Sequence, residues 1–562
     1  MHTHTQSYSG WQQRGSDYWF YDFTKLSDPS GLHSRALPGY WQTATYKTKG
    51  FGGTMIISNP SQNAPEIRIP LPVKGRWAIT IGVIQNYCDR LLLKLDRDRC
   101  FLKLTHSACL PGSMSLEECW WRDVDLAEGD VLVLKQDTDM KRRCAIAFIR
   151  LHSALALTKP ELPILICADG LPGNHGPVSL DQMLVEELMF ADTHVSDILH
   201  GTDINGAAQY ITKLPDHRYP VEKIAEEKYP DDEYYLWTVR QYQKYQDEGR
   251  CPLRDSIDAA HSIGRRIFAY YRMAITRLYP PFKSIFHCPF FDAHPEWRSV
   301  DFDGTPICRL SIAFPEVRQY FLEHFRETVE LGADGVCLVF TKGWPLLLFE
   351  KPVADEFKQQ TGKDIRSVKP DDPDLLRVRT DILTQFVRDI RRTVTEAGGG
   401  RKVEIVALVL ATTAINRHYA MDCEAWCSEG LVETLVPFPF GMTAVPTPIG
   451  DIKEWLSVVK GTQTRLCPTL NRMTYEPAGV FETPKSMLDR AEQWLAAGVH
   501  GFTFWDMDWY LAVPSFRQFG FQLASKEGRQ RLRQFIERGP ILYPLEDMDG
   551  LAVDRYPPGW NI

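Results

Sequence analysis

Two acidic side chains of this chain follow apolar segments and could act together as a catalytic pair. Glu350 and Asp506 each stand beside apolar or aromatic residues that could shift the pKa of a carboxyl group. Breaking a glycosidic bond needs one protonated carboxyl group for the leaving oxygen and one ionised carboxylate as nucleophile or base. We therefore predict that Glu350 is the general acid and that Asp506 is the nucleophile or base.

Other polar and aromatic side chains follow the same series of apolar segments. Carboxylates accept hydrogen bonds from hydroxyl groups and aromatic rings cover the apolar faces of a sugar, so this mixture suits a neutral ligand rich in hydroxyls. Trp344, Phe438 and Trp505 are predicted to stack on sugar rings. The full predicted set of substrate-binding residues is Asp169, Asp203, Arg272, Asp292, His294, Lys342, Trp344, Phe438, Asn471, Trp505 and Asp508.

These side chains can meet only if the apolar segments form one parallel sheet. From Pro163 onward, apolar strands alternate with amphipathic helices, which predicts an α/β fold. Eight candidate strands close a (β/α)₈ TIM barrel, whose sites lie beyond the carboxyl ends of the strands. The predicted strands are 164–167, 194–199, 266–271, 335–340, 403–409, 432–436, 465–469 and 501–505.

The segment before the barrel has a different pattern. Short apolar or alternating runs at 77–84, 91–95, 131–134 and 144–151 predict an N-terminal antiparallel β-sandwich. The predicted domains are a sandwich at 1–157, a barrel at 158–545 and a tail at 546–562. Within the barrel, Leu383, Phe386, Val387, Ile390 and Val394 predict a helix with one buried stripe.

Composition and charge narrow the class of protein. Hydrophobic residues make up 44% and charged residues 24% of the 562 positions, as in folded globular chains. The net charge of −8 gives no broad attraction for nucleic acid, and no apolar run is long enough to predict a membrane span. Scattered single cysteines, 13 in all, favour a reducing, cytoplasmic location. A carbohydrate is the expected partner, and a homo-oligomer stays open.

Metal and cofactor sites are weakly indicated. His175, His200, His287, His294 and His418 could approach one another at a barrel mouth, but no close spacing marks them as ligands. The chain has no glycine-rich phosphate loop and no serine elbow. We therefore predict no metal and no cofactor.

The stretch from Leu162 to about Arg538 resembles the family-10-like glycosyl hydrolases, a set of glycosidase-like barrels. The resemblance is carried by the segments 291–298, 310–318, 333–342, 419–426 and 429–433. It implies a barrel that acts as a glycoside hydrolase. The N-terminal segment likewise resembles, in composition, the carbohydrate-binding or jelly-roll modules that accompany such barrels.

One position departs from the pattern of that set. Relatives often carry an aspartate within the fourth strand, where this chain has Val339. The departure leaves two alternatives to hydrolysis by Glu350 and Asp506. One is a non-catalytic carbohydrate-binding barrel, and the other is a metal-dependent barrel hydrolase or isomerase.

Overall fold

The computed structural model forms two compact units. It describes residues 8–59, 61–85, 90–106, 114–137, 143–154, 156–168, 179–219, 233–276, 288–439, 449–471, 483–505 and 513–552. Unit 1 comprises 1–161, 175–194 and 508–562, and unit 2 comprises 162–174 and 195–507.

Unit 1 is built on two sheets whose strands pair in antiparallel fashion, apart from the short parallel pair of Leu32–His33 with Trp41–Thr48. The larger sheet runs in the order Trp11–Arg14, Asp17–Phe20, Cys144–Ser153, Gly52–Ser58, Trp41–Thr48, Ile541–Met548, Ser115–Leu126 and Gly75–Ile84, with Leu32–His33 and Leu551–Ala552 attached. The smaller sheet runs in the order Ile67–Pro70, Val131–Gln136, Leu91–Leu95 and Leu102–Leu104. The two sheets contribute side chains to a common core that includes Ile81, Val83, Leu93 and Leu132. The antiparallel, β-rich character predicted for the N-terminal region is therefore confirmed.

The C-terminal part of the chain returns to the larger sheet of unit 1. Ile541–Met548 pairs with both Trp41–Thr48 and Ser115–Leu126. The predicted domain limits assigned the first residues of this strand to the barrel. Chain order alone gives no sign of the pairing, because its partners lie more than 400 residues earlier. Unit 1 also contains the helices Val185–Leu188, Pro514–Gln522 and Lys526–Arg538 and the 3₁₀ turns Phe23–Lys25 and Leu180–Leu184.

Unit 2 is built on a curled parallel sheet of eight strands, all at the predicted places in the chain. Along the chain these are Ile164–Ala168, Asp197–Gly201, Arg266–Arg272, Gly335–Val339, Glu404–Leu410, Thr434–Phe438, Arg465–Leu466 and Phe502–Trp505. In the sheet they run from the seventh down to the first, followed by the eighth. The predicted α/β class with a parallel, TIM-like sheet is confirmed.

Side chains from seven of the strands, and Cys467 directly after the seventh strand in the chain, meet in one apolar core. It contains Leu165, Cys167, Leu199, Phe268, Tyr270, Cys337, Val339, Val406, Leu408, Val436, Phe438, Cys467 and Trp505. Alternate residues of each strand supply this set, as expected when one face of a curled sheet turns inward. Past the seventh strand, Thr469 forms a parallel bridge with Thr503 of the eighth, and the Leu470 N–H donates to the Thr503 carbonyl at 2.8 Å.

Helices follow most of the strands in unit 2. They are Glu233–Asp247, Pro252–Ser262, Pro289–Ala293, Pro315–Glu330, Lys351–Thr361, Pro373–Ala397, Thr413–His418, Cys423–Ser428, Ile449–Val459 and Pro484–Ala497, with 3₁₀ turns at Pro215–His217, Pro295–Trp297 and Ile365–Ser367. Two short hairpins accompany them, Asp203–Ile204 with Ala207–Ala208 and Arg298–Val300 with Pro306–Leu310.

The helix predicted from periodicity is present and longer than its apolar stripe. Asp372 is the N-cap of the helix Pro373–Ala397, and its side chain accepts hydrogen bonds from the N–H groups of Asp374 and Leu375. All five residues of the predicted stripe are fully buried, as an amphipathic helix against a sheet requires. Over the described residues, no helix combines the length and apolarity that crossing a bilayer demands.

Candidate functional site

Aromatic and cationic side chains from the carboxyl ends of several strands gather around Trp505. The Phe438 ring stacks on the Trp505 ring at 4.7 Å between centroids, and the Tyr270 ring meets it edge-on at 5.7 Å. The Nζ atom of Lys342 lies 4.8 Å from the centroid of the same indole, within the range of a cation–π contact. Strands three, six and eight and the segment after strand four thus meet at one place. We call Trp505, Phe438, Tyr270, Lys342 and Asn471 the Trp505 cluster.

Asn471 fixes the backbone of Trp505 in this cluster. Its Nδ2 donates to the Trp505 carbonyl at 2.6 Å, and its Oδ1 accepts from the Trp505 N–H at 2.8 Å. The Asn471 side chain is fully buried. These two bonds use one donor and one acceptor of the amide, so Asn471 positions the end of the eighth strand.

Three buried polar atoms near the ends of strands four, seven and eight have no hydrogen-bond partner among the residues that the structure describes. The Nε1–H of Trp505 and the hydroxyls of Thr341 and Thr469 form no hydrogen bond with any described residue. A buried donor left without an acceptor costs about 1–3 kcal/mol, and a bound hydroxyl group would satisfy it. These atoms are therefore available for a polar ligand.

Trp344 lies in the segment after the fourth strand but packs elsewhere. Its ring contacts Tyr419 at 4.8 Å between centroids, and its Nε1–H donates to the Thr341 carbonyl at 3.1 Å. No described contact joins it to Trp505. Its predicted stacking on sugar stays a prediction.

Glu350 is almost completely buried at the start of the helix Lys351–Thr361. Its carboxylate accepts hydrogen bonds from the Ser311 hydroxyl, from the Leu348 N–H at 3.1 Å and from the Val300 N–H at 3.4 Å. Ser311 follows the hairpin 298–310 directly and Val300 lies within it, so Glu350 ties the hairpin to the segment that leads into the helix. Its burial shows that Glu350 is not a solvated residue at the start of this helix.

The protonation of Glu350 is shifted in the direction that a general acid requires. Burial disfavours the carboxylate and raises its pKa, whereas the hydrogen bonds from Ser311 and from backbone N–H groups oppose the rise. The net effect is a pKa above the usual value of a glutamate. Burial also lowers the pKa of the neighbouring Arg309 and Arg379, which Glu350 partly offsets.

Asp203 is buried and holds a hairpin against the third strand. Its Oδ1 accepts from the Arg272 N–H at 2.9 Å and its Oδ2 accepts from the Gly206 N–H at 3.2 Å. The turn between them needs Gly206, which has a φ of 105°. The Asp203 carboxylate therefore shapes the backbone at the carboxyl end of strand three, where the half-buried Arg272 begins the next connection.

Asp292 and His294 lie on or beside the short helix Pro289–Ala293. The Asp292 side chain is exposed. The His294 ring stacks on Trp297 at 3.7 Å, and its Nδ1 lies 3.0 Å from Glu296. No described contact joins either residue to the Trp505 cluster, so their role in binding stays a prediction.

The remaining predicted residues, Asp169, Asp506 and Asp508, lie outside the described residues. Sequence reasoning also missed members of the site. Tyr270 was placed inside a strand, and Thr341 and Thr469 were absent from the predicted set. The alternation of side chains along strand three could have identified Tyr270, because residue 268 shares its inward face. Within the described ranges, no three His, Cys, Asp or Glu side chains are arranged to hold a metal ion.

Comparison with known proteins bears on the part of the chain that carries the cluster residues other than Trp505. Residues 220–471 match a family model described as glycosyl hydrolase-like 10. This region is therefore similar to that family. The match confirms the resemblance read from the sequence, and it includes Tyr270, Lys342, Glu350 and Asn471. The sequence matches no curated protein.

Solved structures of glycoside hydrolases show a distant likeness. One is the glycoside hydrolase domain of PgaB (BpsB) from Bordetella bronchiseptica, with 11% identity, a TM-score of 0.44, and coverage of 65% of this chain and 99% of that one. Another is the α-galactosidase TtGalA from Thermus thermophilus, with 11% identity, a TM-score of 0.34, and coverage of 88% and 94%. The glycoside hydrolase domain of PelA from Pseudomonas aeruginosa has 11% identity, a TM-score of 0.32, and coverage of 63% and 98%.

Proposed function

We propose that the protein is a glycosidase that binds a neutral oligosaccharide or glycoside at the Trp505 cluster and hydrolyses it by carboxylate acid/base catalysis. The observation that carries the proposal is the convergence of Trp505, Phe438, Tyr270 and Lys342 near the carboxyl ends of the strands. Phe438, Tyr270 and Lys342 also lie within the segment 220–471 that matches the glycosyl hydrolase-like model. Sites of parallel barrels lie at this end of the sheet.

The proposal includes closure of the eight strands into a (β/α)₈ barrel. The Thr469–Thr503 bridge and the Leu470 to Thr503 hydrogen bond support it, because they link the strands at the two ends of the sheet order. Closure would surround the core of inward-facing side chains and leave one mouth beside Trp505. The domain limits at 157/158 and 545/546 remain a prediction, as do the cytoplasmic location and the oligomeric state.

In the proposed reaction, Glu350 protonates the leaving oxygen and Asp506 acts as nucleophile or base. The raised pKa of Glu350 supports its part, since an acid must keep its proton near neutral pH. Asp506 is the residue directly after Trp505, so its place in the chain supports a position at the mouth. Asp169 and Asp508 are proposed to hold sugar hydroxyls, together with Arg272.

A non-catalytic sugar-binding barrel is the second candidate. Val339, where relatives often carry an aspartate, is fully buried and apolar. The oxygens of Glu350 are occupied by Ser311 and by backbone N–H groups, which favours a structural task for this carboxylate. Under this reading the Trp505 cluster binds the sugar and no bond is broken.

Release of reducing ends distinguishes the two candidates. Wild-type protein is incubated with maltohexaose, cellohexaose, xylohexaose, chitohexaose and mannohexaose, and new reducing ends are measured over time. The glycosidase proposal expects turnover of at least one probe and a loss of about 10³-fold or more in Asp506→Asn. Saturable binding without reducing-end release would establish the binding barrel instead.

A further inference from the structure

Unit 1 contains an open cavity of about 690 Å³ that lies entirely within its own residues. Leu32, Tyr40 and Ile67 supply apolar lining, and Asp28, Ser30, Glu66 and Arg68 are among its polar lining residues. The volume falls within the range of small-molecule sites. This cavity, which we call the Tyr40 cleft, has no part in the chemistry proposed for unit 2.

One exposed, large hydrophobic side chain, that of Tyr40, lines the Tyr40 cleft. Across the described residues, large hydrophobic side chains with more than a third of their surface exposed are Leu37, Tyr40, Leu157 and Phe302. Leu37 and Tyr40 belong to a single turn, in which the Tyr40 N–H donates to the Leu37 carbonyl at 3.2 Å. Tyr40 is 38% exposed and lines the cleft. An exposed aromatic ring at a concave surface marks a binding site more often than an isolated exposed residue does.

Hydrogen bonds of buried side chains fix the backbone of the segment that carries Tyr40. The buried Gln62 side chain donates to the Tyr40 carbonyl at 2.8 Å and accepts from the Asn59 N–H at 2.7 Å. The next residue, Trp41, is fully buried and donates from Nε1 to the Pro65 carbonyl at 2.7 Å. The tyrosine ring is thus presented on a fixed backbone, which reduces the entropy lost when a ligand binds.

The charges of the Tyr40 cleft disfavour an anionic ligand. Asp28 and Glu66 are both exposed acids, and the Ser30 hydroxyl and N–H hold the pKa of Asp28 below its usual value. Arg68 is paired with Asp96 at 3.3 Å. Phosphate groups and acidic lipids would therefore meet a net negative rim, whereas hydroxyl groups can donate to the two carboxylates.

We propose that the Tyr40 cleft is a second, non-catalytic binding site for a neutral oligosaccharide. The ring of Tyr40 and the half-buried side chain of Leu32 cover the C–H face of a sugar, and Asp28, Ser30 and Glu66 bond its hydroxyls. The site does not depend on hydrolysis in unit 2. It would hold the protein on a chain of sugar residues whether or not the Trp505 cluster cleaves that chain.

The test measures binding in a full-length background that cannot turn over substrate. In the Asp506→Asn protein, each of the five hexasaccharides named above is titrated by isothermal calorimetry. The expected result is two-site binding of at least one probe, one site being the Trp505 cluster. Binding at the other site weakens about tenfold or more in Asp506→Asn/Tyr40→Ala and severalfold in Asp506→Asn/Glu66→Gln. The matched control is Phe302→Ala, because Phe302 has the same 38% exposure and lies in unit 2.

Two outcomes would overturn the inference. These are no binding of any probe and binding that Tyr40→Ala leaves unchanged. Thermal melts of Tyr40→Ala and Phe302→Ala verify that both variants fold. Turnover of a short soluble substrate by the Tyr40→Ala protein should equal that of wild type, so failure of this site and failure of the proposed hydrolysis give different results.

Discussion

The carboxyl group of Glu350 is both a proposed acid and a structural link. Replacing it with glutamine keeps its shape and removes the transferable proton. General acid catalysis contributes about 10²-fold or more to the rate, so removal of the Glu350 proton should lower turnover by about that factor if Glu350 is the acid. We therefore expect Glu350→Gln to lower turnover of the identified glycoside by at least that factor.

The same variant must also be checked for folding. The glutamine amide can still accept from Leu348 or Ser311 but supplies one acceptor oxygen in place of two, so some loss of melting temperature is expected. Glu356→Gln, at a half-buried position of the same helix, is the control. Unchanged turnover in Glu350→Gln together with a lower melting temperature would assign Glu350 to structure alone.

Trp505 and Trp455 provide a matched pair of buried indoles. The Trp455 Nε1–H donates to the Ala411 carbonyl at 2.8 Å, whereas that of Trp505 has no partner among the described residues. Replacement by phenylalanine should cost about 1 kcal/mol more at Trp455, because it alone loses a hydrogen bond. Chemical denaturation of the two variants measures the difference. A larger loss of stability at Trp505 would contradict the reading of its N–H as unpaired.

The strands of unit 2 are tied together at their amino ends by a charged network. Glu404 accepts from Arg266 at 2.9 Å, from Arg465 at 3.0 Å and from Lys402 at 2.6 Å. Burial opposes ionisation of Glu404, but these cations outweigh it and lower its pKa. Strands three, five and seven are thereby linked on the side away from the Trp505 cluster.

Removing the charge of Glu404 should therefore destabilise unit 2. Glu404→Gln removes the carboxylate that Arg266 and Arg465 share. Because both arginines are partly exposed and Arg266 keeps its pair with Asp197 at 2.6 Å, we expect a cost of about 1–2 kcal/mol. Glu396→Gln is the comparison, because the Glu396–Arg326 pair is exposed and such pairs contribute about 0–1 kcal/mol. Thermal melts of both variants measure the effect. Equal melting temperatures would show that the network contributes little.

Local patterns in the sequence were enough to predict the strands and their common end. The apolar runs 335–340 and 501–505 identified strands four and eight, and the polar residues after them included Lys342, which contacts Trp505. The partners of Glu350 could not be predicted in the same way. Val300 and Ser311 lie 50 and 39 residues away and bond through a hairpin that periodicity does not reveal. Asn471 was predicted as a sugar ligand, yet its bonds to the Trp505 backbone depend on register between the strands, which sequence does not specify.

Acid should destabilise the whole protein through two buried histidines. Burial lowers the pKa of His217 to about 4, and that of His324 lies well below its usual value because of burial and the neighbouring His217. His217 stacks on Tyr320 at 3.6 Å, and Glu323, at 3.6 Å, is the acid that faces it. Between pH 6.5 and about 4 the unfolded chain binds protons that the folded chain does not, so stability falls as the pH falls.

Glu350 acts in the opposite direction. Its raised pKa means that the folded chain holds its proton more tightly, so its contribution to stability is lost as the pH rises through the folded pKa.

We expect melting temperatures measured from pH 7 to pH 4.5 to fall less in His217→Phe than in wild type, because phenylalanine retains the stack on Tyr320 and cannot be protonated. His418→Phe, at an exposed position, is the control. Identical profiles for wild type and His217→Phe would refute this assignment.

The claim that a saccharide occupies the Trp505 cluster can be observed at a single atom. In full-length protein labelled with ¹⁵N, the indole resonance that disappears in Trp505→Phe is that of Trp505. The chemical shift of this resonance is then measured in the Asp506→Asn variant during addition of the hexasaccharide that the protein binds or cleaves. If a sugar hydroxyl accepts from this N–H, the resonance shifts saturably, and the dissociation constant from the shift equals that measured for the ligand by calorimetry. A Trp505 resonance that stays in place when the ligand is saturating would contradict the proposed site.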